Sequence, residues 1–534
     1  MKKYVLIGII LLAIVLRFYK LNSIPPSLYW DEASLGYNAY SILLTGRDEH
    51  ERFLPVTNFA AFGDYKPPGY IYAAVPFIAL FGLNEFAIRF PAAFFGVLTV
   101  LLTYLIARKI FEDEAIALLS AFFLAISPWH LQFSRGAFEA NLGLFFSTLG
   151  IYLFLKFAKD KPYWLFFSGL SFLAAMYTFT GQRLFVPFIL LVLAIQFRKQ
   201  ILTNIKLVIV TTVVAIFLFW PLIKFATGTI EGRLRFNEVT IFKDLNPIDE
   251  SRRYQALDNY KWWANVIHNR RFFYVNEYLK HYFDAFNPSF LFIRGDVNPR
   301  LSVQEIGELY YFDLILILAG IYFLFAKNYK YRFLILGWLI VSPLGPATAR
   351  ETPHALRMIH ILPTFQIIAA IGIYHLYDAI KFKRIFTVSS VLIFAISLFY
   401  YFHMYYIHWP RNYSDQWQYG YKQAVEVVKS YYSEVDHIYV TKSLGRPYIY
   451  FLLYTKYDPN LYWQTAKVTR DEFYFIDVES FDKFLFSDNP NQYSLTGKTL
   501  YVVRPGELSV EAQKVASIND LSGKQVFEIG IVSR

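Results

Sequence analysis

Residues 4–19 read YVLIGIILLAIVLRFY, and Trp30-Asp31-Glu32 stands in the loop that follows them. A helix crossing a bilayer takes about 20 apolar residues, so the first stretch is nearly long enough by itself. Lys2-Lys3 precede it as in a signal peptide, but it runs into Leu16-Arg17-Phe18-Tyr19-Lys20. That ending lacks the small residues a cleavage site needs. The stretch reads as an uncleaved first span with its N-terminus in the cytoplasm. Asp31 and Glu32 then lie just outside the membrane, and Lys66-Pro67-Pro68 comes later in the same loop. Acid and ammonium groups at headgroup level suit chemistry on a lipid-borne phosphate.

Composition agrees with a membrane setting. The 534 residues are 56% hydrophobic and 17% charged, with a mean hydropathy of +0.33; soluble domains carry about a quarter charged residues. The net charge of +11 would suggest nucleic acid in a soluble protein, but Lys and Arg cluster at span ends, so topology accounts for it. With no cysteine there is no disulfide, thiolate metal site or cysteine nucleophile.

Further apolar blocks lie near 88–107, 115–130, 140–157, 162–179, 185–197, 203–223, 309–326, 333–347, 359–378 and 385–403. Together with the first they predict about eleven transmembrane helices. Residues 69–83 are apolar but short and fit a re-entrant or interfacial helix. With that count Lys2/Lys3, Arg108/Lys109, Lys159/Lys161, Arg198/Lys199, Lys327/Lys330/Arg332 and Lys381/Lys383/Arg384 share one face, as the positive-inside rule requires. The opposite, extracytoplasmic face receives the long loop 20–87, the Arg135–Glu139 loop, Gln182-Arg183, the large loop 224–308, and 348–358 with His354 and Arg357. The candidates for chemistry therefore converge on one side.

Leu35, Ala39, Ile42 and Leu43 recur at helical spacing, so 32–44 is expected to be an amphipathic helix on the membrane surface, with Asp31 at its start. Asp31 as a simple N-cap is the bland alternative. Neighbouring helical residues point about 100° apart, so Asp31 and Glu32 are not expected to serve the same atom. The prolines after Lys66 stiffen the backbone there. Arg135 and Glu139 lie about one helical turn apart, which allows an internal salt bridge or a boundary site. Arg357 begins a span, where an arginine also snorkels. Asp48-Glu49-His50-Glu51 reads either as a cation site or, more simply, as a solvated acidic turn.

From about 406 onward a helical stretch, Tyr421 to Val435, joins strand-like runs at His437–Thr441, Thr499–Val503 and Gln525–Val532, which predicts a small soluble α/β domain. The phosphate-binding loop, G-x-S-x-G and H-E-x-x-H motifs are absent, and no two aspartates are separated by one residue.

Taken in order, Trp30-Asp31-Glu32, Tyr65-Lys66-Pro67-Pro68-Gly69-Tyr70, Ala87-Ile88-Arg89-Phe90-Pro91, Ser134-Arg135-Gly136-Ala137-Phe138-Glu139 and Pro353-His354-Ala355-Leu356-Arg357 resemble the GT-C superfamily of glycosyltransferases. The likeness is to the branch of protein O-mannosyltransferases and the lipid A aminoarabinose transferase, and it covers about 1–405. Tyr65 replaces the Glu that some relatives carry before the lysine, and Glu139 stands where several have Asp.

The resemblance implies a transmembrane glycosyltransferase domain over 1–405 and an extracytoplasmic domain over 406–534. Its donor would be a polyprenyl-phosphate sugar and its acceptor an extracytoplasmic protein, lipid or glycan hydroxyl. It implies Asp31 as general base, with Glu32 and Glu139 as further catalytic candidates. Lys66, Arg357 and Arg183 would hold the donor phosphate, with Arg135 and His354 in support. No cofactor is required, no metal ligand is assigned, and a divalent cation is admitted. A polysaccharide polymerase or ligase shares the face and the basic loops but needs no Asp31. A transporter of lipid-linked glycans calls for charges deep within the spans.

Overall fold

Each apolar block folds as a helix in the computed structural model, which describes residues 2–233, 240–471, 475–489, 492–493 and 495–534. Residues 234–239 of the expected 224–308 loop lie outside the described residues. Helices cover Lys2–Phe18, Glu85–Phe111, Glu114–Ile126, Glu139–Lys159, Trp164–Thr178, Gln182–Gln196, Ile205–Gly228, Tyr311–Ala326, Arg332–Val341, Thr364–Ala379 and Lys383–His403. Among the described residues four helices are long and apolar enough to cross a membrane, or six if each of two bent pairs forms one span. The bends, 56° between Glu114–Ile126 and Pro128–Arg135 and 54° between Ala355–Ile361 and Thr364–Ala379, fall at Pro128 and Pro363. Proline removes a helical donor and clashes with the preceding turn. The chain is a multi-pass α-helical membrane protein that also carries β-sheet.

The chain forms two compact units. One comprises 1–17, 94–134 and 139–401; the other comprises 18–93, 135–138 and 402–534. In the first, helix packing relies on small residues. Gly320 on Tyr311–Ala326 and Gly372 on Thr364–Ala379 lie so close that a Cβ on Gly320 would strike the Ile368 carbonyl, and one on Gly372 the Leu316 carbonyl. Small residues let helices approach where lipid supplies no hydrophobic drive. By contrast, the most apolar window of Ile205–Gly228 is 6% buried, so this helix turns its Ile, Val and Phe side chains outward.

The second unit begins with the irregular segment 18–29 and the Trp30–Thr45 helix. This helix differs from its expected surface position. Every residue from Glu32 to Ala39 is buried, and a Cβ on Gly36 would strike Ile88. The reason lies in sequence-distant partners: the Tyr37 hydroxyl donates to the Tyr457 carbonyl at 3.0 Å, and the Trp30 N–H to Gln418 Oε1 at 3.3 Å. Gly46, at φ 71°, ends the helix in a left-handed cap. A short hairpin follows, β1 (Phe59–Ala61) and β2 (Asp64–Lys66). Phe62 and Gly63 both take positive φ, 58° and 98°, as a two-residue type I′ turn requires.

The C-terminal part supplies the other sheet, with β3 (His437–Thr441), β4 (Lys467–Arg470), β5 (Ile476–Phe481), β6 (Phe484–Ser487), β7 (Lys498–Val503), β8 (Gln513–Asn519) and β9 (Gln525–Ser533). Its order is β4-β5-β6-β3-β7-β9-β8, with β3 parallel to both β6 and β7. The Tyr421–Tyr431 helix buries Tyr421, Ala424, Val425 and Val428, one helical face. Lys422 reaches Glu85 at 2.7 Å.

Gly372→Val should force the Tyr311–Ala326 and Thr364–Ala379 helices apart. Thermal unfolding in detergent is expected to shift down by several degrees relative to Gly372→Ala, itself lower than wild type.

Candidate active site

Hairpin geometry places Lys66. Its register pairs Phe59 with Lys66, and Pro67-Pro68 lead straight into the Gly69–Phe81 helix, so the lysine backbone is fixed on both sides. Lys66 is 4% exposed, and its Nζ lies 2.7 Å from Asp31 Oδ1 and 3.8 Å from Asp64 Oδ2. Both carboxylates are more open, with side chains 27% and 32% exposed. Asp64, one position before Tyr65, thus stands beside the ammonium. Asp31 occupies the first turn of its helix, where the backbone dipole favours negative charge, and Tyr29 is the N-cap.

Glu32 faces the opposite way. It is fully buried, accepting Arg89 Nε on Oε1 and Arg89 Nη2 on Oε2, each at 2.9 Å. The Ala137 N–H donates to Oε1 at 2.7 Å, and the Tyr29 N–H to Oε2 at 3.4 Å. Arg89 also donates to the carbonyls of Leu21, Pro25 and Ser27 at 3.2, 2.8 and 2.5 Å. Arg135 does the same for Tyr19 and Ile24, at 2.7 and 3.0 Å, while its guanidinium lies 5.4 and 5.3 Å from the Tyr405 and Tyr406 rings. Two buried arginines therefore satisfy five carbonyls of a segment with no helix of its own. Buried carbonyls need such partners. The role of Arg89 was not assigned from sequence, although an arginine inside Ala87-Ile88-Arg89-Phe90-Pro91 at the start of an apolar helix was the available signal.

The remaining candidates belong to the other unit. Glu139 opens the Glu139–Lys159 helix. Arg183 lies at the start of Gln182–Gln196, with its Nε donating to the Met176 carbonyl at 3.2 Å. Arg357 donates through Nη1 to the Glu351 carbonyl at 3.1 Å. His354 Nδ1 is 3.7 Å from Asp296 Oδ2, which accepts the Ala355 N–H at 2.6 Å. Burial lowers the His354 imidazole to about 3 and raises the carboxyls of Asp296 and Glu308. Asp296 and Glu308 escaped sequence reasoning, since nothing in a long polar loop marks which acids become buried.

The Asp48–Glu51 stretch is not the solvated turn expected. Asp48 and Glu49 are buried. Asp48 accepts the N–H groups of His50 and Arg52 at 2.9 Å each, and Arg52 Nε at 2.7 Å. Burial, with the Asp48 charge added, pushes the Glu49 carboxyl up to about 8. Among the described residues no three His, Cys, Asp or Glu side chains gather as metal ligands.

The family model for dolichyl-phosphate-mannose-protein mannosyltransferases matches residues 65–224. The structure of ArnT from Cupriavidus metallidurans, solved without ligand and with undecaprenyl phosphate, is similar over 98% of this chain and 97% of that one, with a TM-score of 0.55 at 12% identity. An uncharacterized protein of Aquifex aeolicus is 33% identical over 172 residues, 32% of each chain, so the match spans about a third of that relative. The Archaeoglobus fulgidus oligosaccharyltransferase tethered to an acceptor peptide aligns over 85% of this chain and 63% of its own, with a TM-score of 0.49 and 16% identity.

Arg89→Ala should cost about 3–5 kcal/mol, because it leaves Glu32 charged and buried without its partner; thermal or denaturant unfolding reads this directly. A second expectation concerns pH. The folded state holds the Glu49 proton more tightly than the unfolded chain, whose carboxyl titrates near 4.5. Its stabilisation is complete below that value and is lost as pH rises through about 8. Glu49→Gln, which cannot ionise, should flatten the fall of melting temperature between pH 5 and pH 8.5.

Proposed function

We propose that the protein transfers a sugar from a polyprenyl-phosphate donor to an acceptor hydroxyl on the extracytoplasmic face of a cell membrane. The observation that carries this reading is the Asp31–Lys66 pair, a partly open carboxylate against a buried ammonium at 2.7 Å. The acceptor oxygen attacks the anomeric carbon, the bond from that carbon to the phosphate oxygen breaks, and the electron pair leaves with the polyprenyl phosphate. Asp31 takes the acceptor proton, a role worth about 10²–10⁴-fold. Lys66 meets the charge developing on the phosphate. An arriving phosphate competes with Asp31 for the ammonium, so donor binding frees the base. Arg357 and Arg183 are the further cations assigned to the phosphate, Glu139 orients the acceptor, and His354 supports the Arg357 turn. Glu32 and Arg135 act by holding the backbone around Asp31.

The undecaprenyl phosphate in the ArnT structure supports a lipid phosphate as leaving group. The donor carries its own activation, so the reading requires neither nucleotide nor metal and remains compatible with a divalent cation. Eleven crossings, with the shorter helices such as Trp164–Thr178 and Tyr311–Ala326 completing the spans, put the basic loop clusters in the cytoplasm. Residues 1–405 carry the transferase elements, and 406–534, compact with 18–93 in one unit, lie on the extracytoplasmic side.

The test is release of polyprenyl phosphate by the purified protein from a panel of polyprenyl-phosphate sugars. Asp31→Asn, folded normally, should lose at least about 100-fold, while Lys66→Ala should raise the donor KM as well as lower kcat. Equal release by wild type and Asp31→Asn would remove Asp31 as the base.

A further inference from the structure

The Asp48–Glu51 turn holds buried polar atoms that the proposed reaction does not use. Glu49 is 1% exposed, and neither of its carboxylate oxygens has a hydrogen-bond partner among the described residues. His50 Nε2 likewise has none, and it stands 3.5 Å from Glu49 Oε1. The buried hydroxyls of Tyr448 and Tyr462 are in the same state, and the Glu49 charge acts on both. Buried polar atoms without partners are few in native proteins, and each calls for an explanation. Here five of them come from two distant stretches of one compact unit.

The surrounding contacts hold these groups in place without satisfying them. Asn38 accepts the Glu49 N–H at 3.0 Å. Its amide nitrogen also bears on the Glu49 carboxyl but donates to the Ser34 carbonyl at 3.0 Å. Trp463 Nε1 donates to the Glu49 carbonyl at 3.2 Å. Asp48 is occupied by Arg52 and two backbone N–H groups. The His50 ring donates to the Ala60 carbonyl, which leaves a lone pair on Nε2. Metal-binding histidines are commonly oriented by such a bond. Burial, with Arg52 and Arg470 opposing Asp48, lowers the imidazole to about 4. It is therefore neutral at physiological pH, the form a metal needs.

Distance decides what joins the carboxylate oxygen to the imidazole nitrogen. A shared proton would draw them to about 2.7–3.2 Å. A bridging water, about 2.8 Å from each, would hold them about 4.5 Å apart. A zinc ion, bonded at about 2.0–2.2 Å in a tetrahedron, sets neighbouring ligand atoms about 3.3–3.5 Å apart. The observed 3.5 Å matches the last. We propose that Glu49 and His50 bind a divalent metal ion of the zinc type, with the Tyr448 and Tyr462 hydroxyls completing its surroundings. Two strong ligands instead of three make this a site of moderate affinity. Its role is structural, and it is independent of the transferase reading. The ion ties the turn after the Trp30–Thr45 helix, which carries Asp31, to the Pro447–Thr455 and Pro459–Thr465 helices. The His50 side chain is 13% exposed, which gives the ion access. Glu49 titrates only in the metal-free protein, because a bound cation keeps the carboxylate ionised.

Zinc titration of the full-length protein in detergent, after stripping with a chelator, tests the site by calorimetry and thermal unfolding. A single zinc ion should bind, and the melting temperature should rise with its concentration. Glu49→Gln and His50→Ala should each weaken binding at least about 100-fold, since loss of a supporting partner alone costs about 10–100-fold. His403→Ala should leave it unchanged; the exposed His403–His408 pair, 3.0 Å between Nε2 atoms, is the rival zinc site. X-ray absorption of the zinc-loaded wild type should show one imidazole on the metal, a result that does not depend on any variant folding. No zinc binding by wild type, binding that survives both Glu49→Gln and His50→Ala, loss of binding in His403→Ala, or two imidazoles on the metal would overturn the proposal.

Discussion

The bidentate contact between Glu32 and Arg89 is the interaction on which the first loop depends. Neither group is affordable alone in a buried site, since an unpaired charge there costs several kcal/mol. Together they fix one another, and the remaining donors of Arg89 reach three carbonyls between Leu21 and Ser27. The remaining lone pairs of Glu32 hold the N–H groups of Tyr29 and Ala137. An irregular segment beside a membrane becomes tolerable because its polar backbone is answered by side chains.

That arrangement separates two adjacent acids. Asp31 and Glu32 differ by one methylene and one position, yet one turns toward a buried ammonium with part of its carboxylate open, and the other is enclosed on every side. Helical geometry makes this division natural, because successive side chains point in different directions. The rigid neighbour limits where its more open partner can stand. Lys66 is constrained from the other direction by the two-residue turn and the prolines, so both members of the Asp31–Lys66 contact sit on backbone with little freedom.

Much of the helical framework was legible in sequence because apolar length is a strong signal. Helices occur over all of the expected spans, and the C-terminal strands at His437, Thr499 and Gln525 begin within a residue or so of where alternation placed them. Their number as full crossings is less directly readable, since Pro128 and Pro363 break two of them. Burial of the Trp30–Thr45 helix was illegible, because its partners Gln418, Leu453 and Tyr457 lie hundreds of residues away. Asp48 and Glu49 misled for the same reason: acidic residues in a loop read as solvated until the chain that covers them is known. Of the candidate site, the residue types were readable; which acid would be enclosed and which left open was settled by Arg89 and Lys66.

The bond between Tyr37 and the Tyr457 carbonyl spans 420 residues of sequence. At synthesis rates of about 5–20 residues per second, the segment around Tyr37 waits roughly 20–80 s for that partner to be made. During this interval Leu35, Tyr37 and Ala39, all fully buried in the finished protein, have no C-terminal surface to cover them. The nascent loop must therefore rest on lipid headgroups or a chaperone, and the protein matures only after its last strands have been made. Loss of the tail by premature termination would consequently appear as a defect at the opposite end of the chain.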